Sequence, residues 1–272
     1  MNQSERLDYL VRFLCEDSIK YKTLQVEENE KRMVMRLLMN VRMPKKISQD
    51  FLNIQDQFLQ KEAEHKGVVK LEEIPTIKET YDSIHQFADK ISIWQGDITR
   101  LEIDGIVNAA NSQMIGCFVP CHRCIDNAIH SPAGIELREV CNYYMQAQRE
   151  KYGRDYEEPT GMAMVTSGFN LPAEYVIHTV GPIVSSKLNE FHKHDLKSCY
   201  KSCMDAALEN GIRSIAFCCI STGEFHFPND EAAKIAVETV NSFLNRYEKS
   251  FDRIIFNVFK EVDLGYYKEL LA

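Results

Sequence analysis

Three cysteines and a histidine fall within eight residues of this chain, in the segment Gly116-Cys117-Phe118-Val119-Pro120-Cys121-His122-Arg123-Cys124. Thiolate and imidazole are the ligands zinc takes, at spacings of this order. In an extended stretch the side chains at i and i+2 share a side, which pairs His122 with Cys124. The bend at Pro120 lets Cys117 return to the same point, and Cys121 then points away. Such a trio leaves a tetrahedral zinc with one open position, the arrangement of a catalytic site. Two other readings stay open: a closed structural site using all four residues, and Cys121-x-x-Cys124 as a redox pair.

Other short segments carry groups suited to a polar ligand. In Gln95-Gly96-Asp97-Ile98-Thr99 a carboxylate beside a glycine can accept from an exocyclic amine or a ribose hydroxyl, although on spacing alone a turn or N-cap aspartate is favoured. In Val107-Asn108-Ala109-Ala110-Asn111-Ser112 two asparagines supply amide donors and acceptors, and small neighbours allow close approach; tight turns use asparagine equally well. Ser221-Thr222-Gly223-Glu224-Phe225-His226-Phe227-Pro228 offers hydroxyls, a glycine and backbone N–H groups that can cradle a phosphate. It has no phosphate-loop lysine, so nothing points to triphosphate hydrolysis. Phe225 can stack on a ribose or base, but without context it reads as core. A helix capped by Asn229 or Asp230 is expected next. Asp126, just past the cysteine segment, is a candidate base or hydroxyl anchor, and equally a candidate N-cap.

The pattern between these segments says what positions them. From residue 91 short β-rich runs, at 91–94, 103–108, 163–166, 175–180, 215–220 and 253–258, alternate with helical patterns at about 126–150, 195–210 and 230–247. That alternation predicts an α/β layered domain on a mixed or largely parallel sheet. Ligands of such sheets lie beyond the carboxyl ends of strands, where the Asp97, Asn111 and Ser221 segments fall. His178 sits inside an apolar strand, the place of a satisfied core histidine, and Cys218 and Cys219 read as buried apolar residues.

Residues 1–90 differ in texture. They hold one of the twelve glycines and a net charge of −1, against −7 for the remainder. Leu7, Leu10, Val11 and Leu14 fall on one helical face, as do Met33, Leu37 and Leu38 with Val34 and Val41 flanking; a third pattern runs from Phe51 to Gln60. A helical layer packed on the main domain is expected, and no motif supports a docking surface.

Composition bounds the function classes. A chain of 272 residues that is 44% hydrophobic and 26% charged is globular rather than disordered or collagen-like. No run approaches the ~20 apolar residues that cross a bilayer, so no membrane partner is expected. MNQSERLDYL lacks a basic region followed by an apolar stretch, so no secretory signal is expected either. Nine cysteines, an odd count, then read as reduced thiols or metal ligands of a cytoplasmic protein. A net charge of −8 argues against a nucleic-acid backbone as the main partner.

Several of these segments together resemble the macrodomain family, which binds ADP-ribose. The carriers are Gly96-Asp97-Ile98-Thr99, Val107 to Ser112, Ile125-Asp126-Asn127-Ala128-Ile129-His130, Gly161-Met162-Ala163 leading to Tyr175-Val176-Ile177-His178-Thr179-Val180-Gly181-Pro182, and Ser221-Thr222-Gly223. The resemblance covers roughly residues 90–272. It implies a macrodomain-type three-layer α/β/α sandwich with a mixed sheet over 91–272, carrying an N-terminal helical extension over 1–90. Where the family usually has a run of glycines before Ile125-Asp126, this chain has its cysteine and histidine segment. That replacement, with the extension, resembles the zinc-containing subgroup of microbial protein-ADP-ribose hydrolases.

The subgroup resemblance implies one Zn2+ per chain on Cys117, His122 and Cys124. It also implies mono-ADP-ribosylated protein as substrate, with an ADP-ribosylating sirtuin and a lipoyl-carrier protein as associates. Carried over by position, Asp97 accepts from the adenine amine with Ile98 packed nearby. The backbone of Ser221, Thr222, Gly223, Glu224 and Phe225 holds the diphosphate, and Cys124, Ile125 and Asp126 line the same ligand. Asn111 faces the distal ribose beside the zinc and is, with Asp126, the catalytic candidate; Asn108 supports that loop. The implied reaction is zinc-dependent hydrolysis of the link between the terminal ribose and a protein side chain. An open zinc position would acidify a water or orient a ribose hydroxyl. The competing function is a reader that binds the modification without cleaving it, with zinc as a structural clip.

Overall fold

Apolar, β-branched runs become strands here because helices cover them on both faces. The computed structural model describes residues 1–272. Its strands are β1 (Val69–Lys70), β2 (Ile91–Gln95), β3 (Leu101–Glu102), β4 (Gly105–Ala110), β5 (Ala163–Ser167), β6 (Tyr175–Val180), β7 (Ser214–Phe217) and β8 (Arg253–Val258). Six of them form one sheet in the order β2-β8-β7-β4-β6-β5, parallel except for β5, which runs antiparallel on one edge. β1 and β3 pair separately as a short parallel ribbon.

The helices are α1 (Gln3–Asp17), α2 (Lys31–Val41), α3 (Gln49–Lys66), α4 (Ile77–Tyr81), α5 (Ile125–Ala133), α6 (Ile135–Tyr152), α7 (Glu190–Glu209), α8 (Asn229–Tyr247) and α9 (Glu261–Leu271). α5 packs on β4, α7 on β5 and β6, and α9 on β2 and β8. The result is the expected three-layer α/β/α sandwich on a mixed sheet, with helices added at the amino terminus.

Two separate apolar cores exist. The main one runs from Ile74 to Leu271 through both faces of the sheet. The smaller joins Leu7, Leu10, Val11, Leu14, Val34, Leu38, Phe51 and Phe58 and meets the main domain at Ile135. α1 to α3 therefore form a three-helix unit with its own core. Asn2 closes a capping box on α1, and the Ser48 hydroxyl accepts the Phe51 N–H at the start of α3.

The structure departs from the sequence pattern in five places. On α2 the buried stripe is Val34, Met35, Leu38 and Met39, and Met33 is exposed; the helix packs on both α1 and α5, which rotates its buried face by about one position. The pattern at 126–150 is two helices, broken at Gly134 with φ +101°, where a Cβ would lie 2.7 Å from Gln55 Nε2. The strand expected at 215–220 ends at Phe217, and that expected at 103–108 runs instead from Gly105 to Ala110. Neither Asn229 nor Asp230 caps α8: Pro228 holds that position, and Asn229 Nδ2 donates to Asp263 instead.

Candidate active site

Directly after β2, Asp97 opens a tight 3-10 turn over Ile98–Arg100. Its Oδ1 accepts from the Thr99 N–H at 3.0 Å and from the Thr99 hydroxyl at 2.6 Å. Its Oδ2 lies 2.5 Å from Lys66 Nζ, at the last residue of α3. Burial pushes this carboxyl up, but the hydrogen bonds from Lys66 and Thr99 outweigh it and hold the group below the usual carboxylate range. Asp97 is thus a turn cap with one oxygen and an ionised acceptor with the other. The Ile98 side chain is buried in the main core, and its backbone N–H has no acceptor in the protein, which leaves that N–H for a ligand.

The loop after β7 is held in a conformation that frees its amides. Ser221 takes φ +65° and His226 φ +56°. The Thr222 hydroxyl donates to the Cys219 carbonyl at 3.0 Å, and the Phe227 N–H donates to the Ser221 carbonyl at 3.0 Å. The N–H groups of Ser221, Gly223, Glu224 and Phe225 donate to no protein atom, and the buried Ser221 Oγ has no partner. These are the features of an anion cradle. Gly181, at the end of β6, is required beneath it: a Cβ there would fall 2.0 Å from Ser221 Oγ. Phe227 is the core aromatic of the segment, whereas Phe225 is only half-buried.

At the end of β4 the two asparagines divide their work. Asn108 is buried in the strand and donates through Nδ2 to Asp126 Oδ1 at 2.8 Å; the same nitrogen is 3.1 Å from His178 Nδ1. His178 Nε2 lies 3.0 Å from the Thr166 hydroxyl, so both ring nitrogens are partnered and burial pushes its pKa down to about 3. It is a neutral core histidine. Asn111 donates through Nδ2 to the Gly116 carbonyl and to Asp126 Oδ2, each at 3.3 Å.

Asp126 is buried, and burial pushes its carboxyl up to about 6 against the opposing hydrogen bond from Asn108. A carboxyl in that range can exchange a proton near neutrality. It is not the helix cap: Cys124 is, its Sγ accepting from the Asn127 N–H at 3.4 Å. The N-cap reading of Asp126 is thereby replaced, because α5 starts at Ile125.

Cys117, His122 and Cys124 offer ligand atoms that all lie within 4.8 Å of one another. Cys117 Sγ is 3.7 Å from His122 Nδ1. Cys121 stands outside the group, with φ +51° and its Sγ turned to the Met33 carbonyl at 3.6 Å. Burial first, then the neighbouring Cys117 and Asp126, push the Cys124 thiol up to about 12. Two thiols and an imidazole at this spacing are a donor set that fits zinc. A second trio, the buried His130, Cys141 and His178, fits a metal less well because both His178 nitrogens are already engaged. Glu224 Oε1 lies 3.6 Å from His122 Nε2, which puts the anion cradle beside the cysteine and histidine segment.

Four contributors escape a reading by spacing. Lys66 pairs with Asp97. Arg36 of α2 donates to the His122 carbonyl and to Asn127 Oδ1, Asn40 accepts the Cys121 N–H, and Arg138 of α6 donates to the Cys117 carbonyl. The one available signal was Asn40, a polar residue within the apolar stripe of α2.

Comparison with known proteins bears on the family and the fold. Residues 107–236 match the Macro domain family. The chain is 44% identical over 274 residues to the protein-ADP-ribose hydrolase of Treponema medium, covering 100% of both chains. It is 44% identical over 237 residues to that of Staphylococcus aureus, covering 87% of this chain and 83% of the relative. The crystal structure of the Trypanosoma brucei macrodomain in complex with ADP-ribose aligns with a TM-score of 0.65 at 27% identity, covering 90% of this chain and 96% of that one.

Proposed function

The chain belongs to the macrodomain family, and on that premise we propose that it hydrolyses the bond joining ADP-ribose to a protein side chain, with zinc held by Cys117, His122 and Cys124. The observation that carries the reading is the buried Asp126, two residues beyond Cys124 of the trio, held by Asn111, which also donates to the carbonyl of Gly116 beside Cys117. Asn108 and Asn111 donate to the two oxygens of this carboxyl, which burial pushes up to about 6. The relatives named protein-ADP-ribose hydrolase support the reaction class.

Each part of the site then has a task. Asp97 accepts from the adenine amine and the unpartnered amides after β7 hold the diphosphate, so binding energy gathered there orients the distal ribose. The bond from the anomeric carbon to the protein side chain breaks; water supplies a hydroxyl to that carbon and a proton to the departing side chain. Asp126 accepts the proton of the attacking water, and Asn111 fixes the Asp126 oxygen that does so. Cys117, His122 and Cys124 would hold the zinc, which would supply Lewis-acid chemistry there. A lipoyl carrier modified by a sirtuin as the target belongs to the same proposal and rests on the subgroup resemblance alone; the cytoplasm as the place rests on the reading of the nine cysteines as reduced thiols or metal ligands.

The direct test is release of ADP-ribose from mono-ADP-ribosylated protein by the purified chain and by Asp126→Asn. Loss of a general base predicts a fall of roughly 10²- to 10⁴-fold, with ADP-ribose binding retained. Tight binding of modified protein with no release by the unaltered chain would make it a reader instead.

A further inference from the structure

The segment 117–124 contains the trio yet forms neither helix nor strand, and it turns through a non-glycine residue, Cys121, at φ +51°. One backbone bond closes a turn within it, from the His122 N–H to the Val119 carbonyl at 3.2 Å, and a turn through a non-glycine residue at positive φ carries strain. Four further bonds to its backbone come from side chains outside the segment. The Cys117 carbonyl accepts from Arg138 at 3.1 Å, the Val119 carbonyl from Asn127 at 3.1 Å and the His122 carbonyl from Arg36 at 3.2 Å; the Cys121 N–H donates to Asn40 Oδ1 at 2.9 Å. Two of these four anchors come from α2.

The anchors are also joined to one another. Arg36 donates to Asn127 Oδ1 at 2.7 Å, Asn40 donates to Ser131 at 3.0 Å, and Arg138 donates to the Asn40 carbonyl. Asn40 is 1% exposed, so an amide occupies a place where an apolar side chain would serve the helical unit better. Because α1 to α3 have their own core, α2 is a fixed frame rather than a strand of surface chain.

We infer that the amino-terminal helical unit is a working part of the cysteine and histidine centre. Arg36 and Asn40 are positioning residues that set the shape of the 117–124 loop and with it the spacing of Cys117, His122 and Cys124. The consequence for zinc rests on the function proposed above; the consequence for loop order does not.

The test uses the full chain with Arg36→Met, Arg36→Lys and Asn40→Ala. Two readouts are taken after circular dichroism and a thermal melt establish folding: amide hydrogen exchange of the metal-free protein, and zinc affinity by competition with a chromogenic chelator. Exchange over 117–124, the Cys121 N–H above all, should quicken at least tenfold in Arg36→Met and Asn40→Ala, with strands β4 and β6 unchanged. Zinc affinity should fall roughly 10- to 100-fold, as for other losses of groups that orient metal ligands, and Arg36→Lys should recover part of both effects. Folded Arg36→Met with unaltered loop exchange and unaltered zinc affinity would overturn the inference. Quickened loop exchange in a protein whose unaltered form takes up no zinc would support the clamp and refute the zinc reading.

Discussion

Replacing Asp97 by asparagine separates its two duties. Oδ1 accepts from Thr99, and an asparagine carbonyl can do the same, since Asn and Asp are comparable caps. The turn should therefore survive. Oδ2, which faces Lys66 at 2.5 Å, becomes an NH2 group. The Lys66 pair is lost, but that lysine is half-exposed, and exposed ion pairs contribute only about 0–1 kcal/mol. The larger effect is on the ligand, because an NH2 group presented to the adenine amine puts donor against donor. Loss of a hydrogen bond to a charged acceptor costs about 1.5–3 kcal/mol, which is roughly 10- to 150-fold in Kd. Calorimetry with ADP-ribose and with its inosine analogue is the assay. Asp97→Asn should bind ADP-ribose more weakly by that factor and discriminate less against inosine, which lacks the amine. A variant as tight and as selective as the original protein would mean that Asp97 is only a turn residue.

Purified protein should carry about one zinc per chain; elemental analysis should find it depleted in Cys117→Ala, His122→Ala and Cys124→Ala but not in Cys121→Ala, and equal damage from Cys121→Ala would disprove the three-ligand set. His178, pushed down to about 3 by burial, is neutral when folded and ordinarily titrates near 6.5. The stability it confers is present above pH 6.5 and lost as pH falls toward 3, at roughly 1 kcal/mol between pH 6.5 and 5.5. Urea melts should show that loss shrinking in His178→Gln, and identical pH dependence in both proteins would contradict the neutral assignment.

What could be read in the sequence was local. Asp97, Asn111 and the Ser221–Phe225 stretch stand out because each follows a β-rich run within a few residues. The cysteine and histidine segment announces itself within eight residues. The break at Gly134 was also legible in principle, since Pro132 and Gly134 both interrupt helices. The misreadings come from tertiary packing. On α2 the buried face is set by contact with two helices, so Met35 rather than Met33 faces inward. The start of α5 falls at Ile125, and the cap duty therefore passes from Asp126 to Cys124. Lys66, Arg36 and Asn40 act 33, 86 and 81 residues away along the chain, on Thr99, His122 and Cys121 respectively. No spacing rule reaches across such distances.

The measurement that bears most directly on zinc-dependent hydrolysis compares release with binding in one zinc-free sample. Mild chelation, or Cys124→Ser, should abolish release of ADP-ribose from mono-ADP-ribosylated protein while binding of free ADP-ribose weakens by no more than about tenfold, or about 1.4 kcal/mol. Lost turnover with ground-state binding kept is the signature of a group that acts in the transition state. Circular dichroism on the same sample must show an intact domain, because an empty ligand set can disorder its loop. Folded, zinc-free protein that releases ADP-ribose at the original rate would contradict the account and leave the chemistry to Asp126 and Asn111.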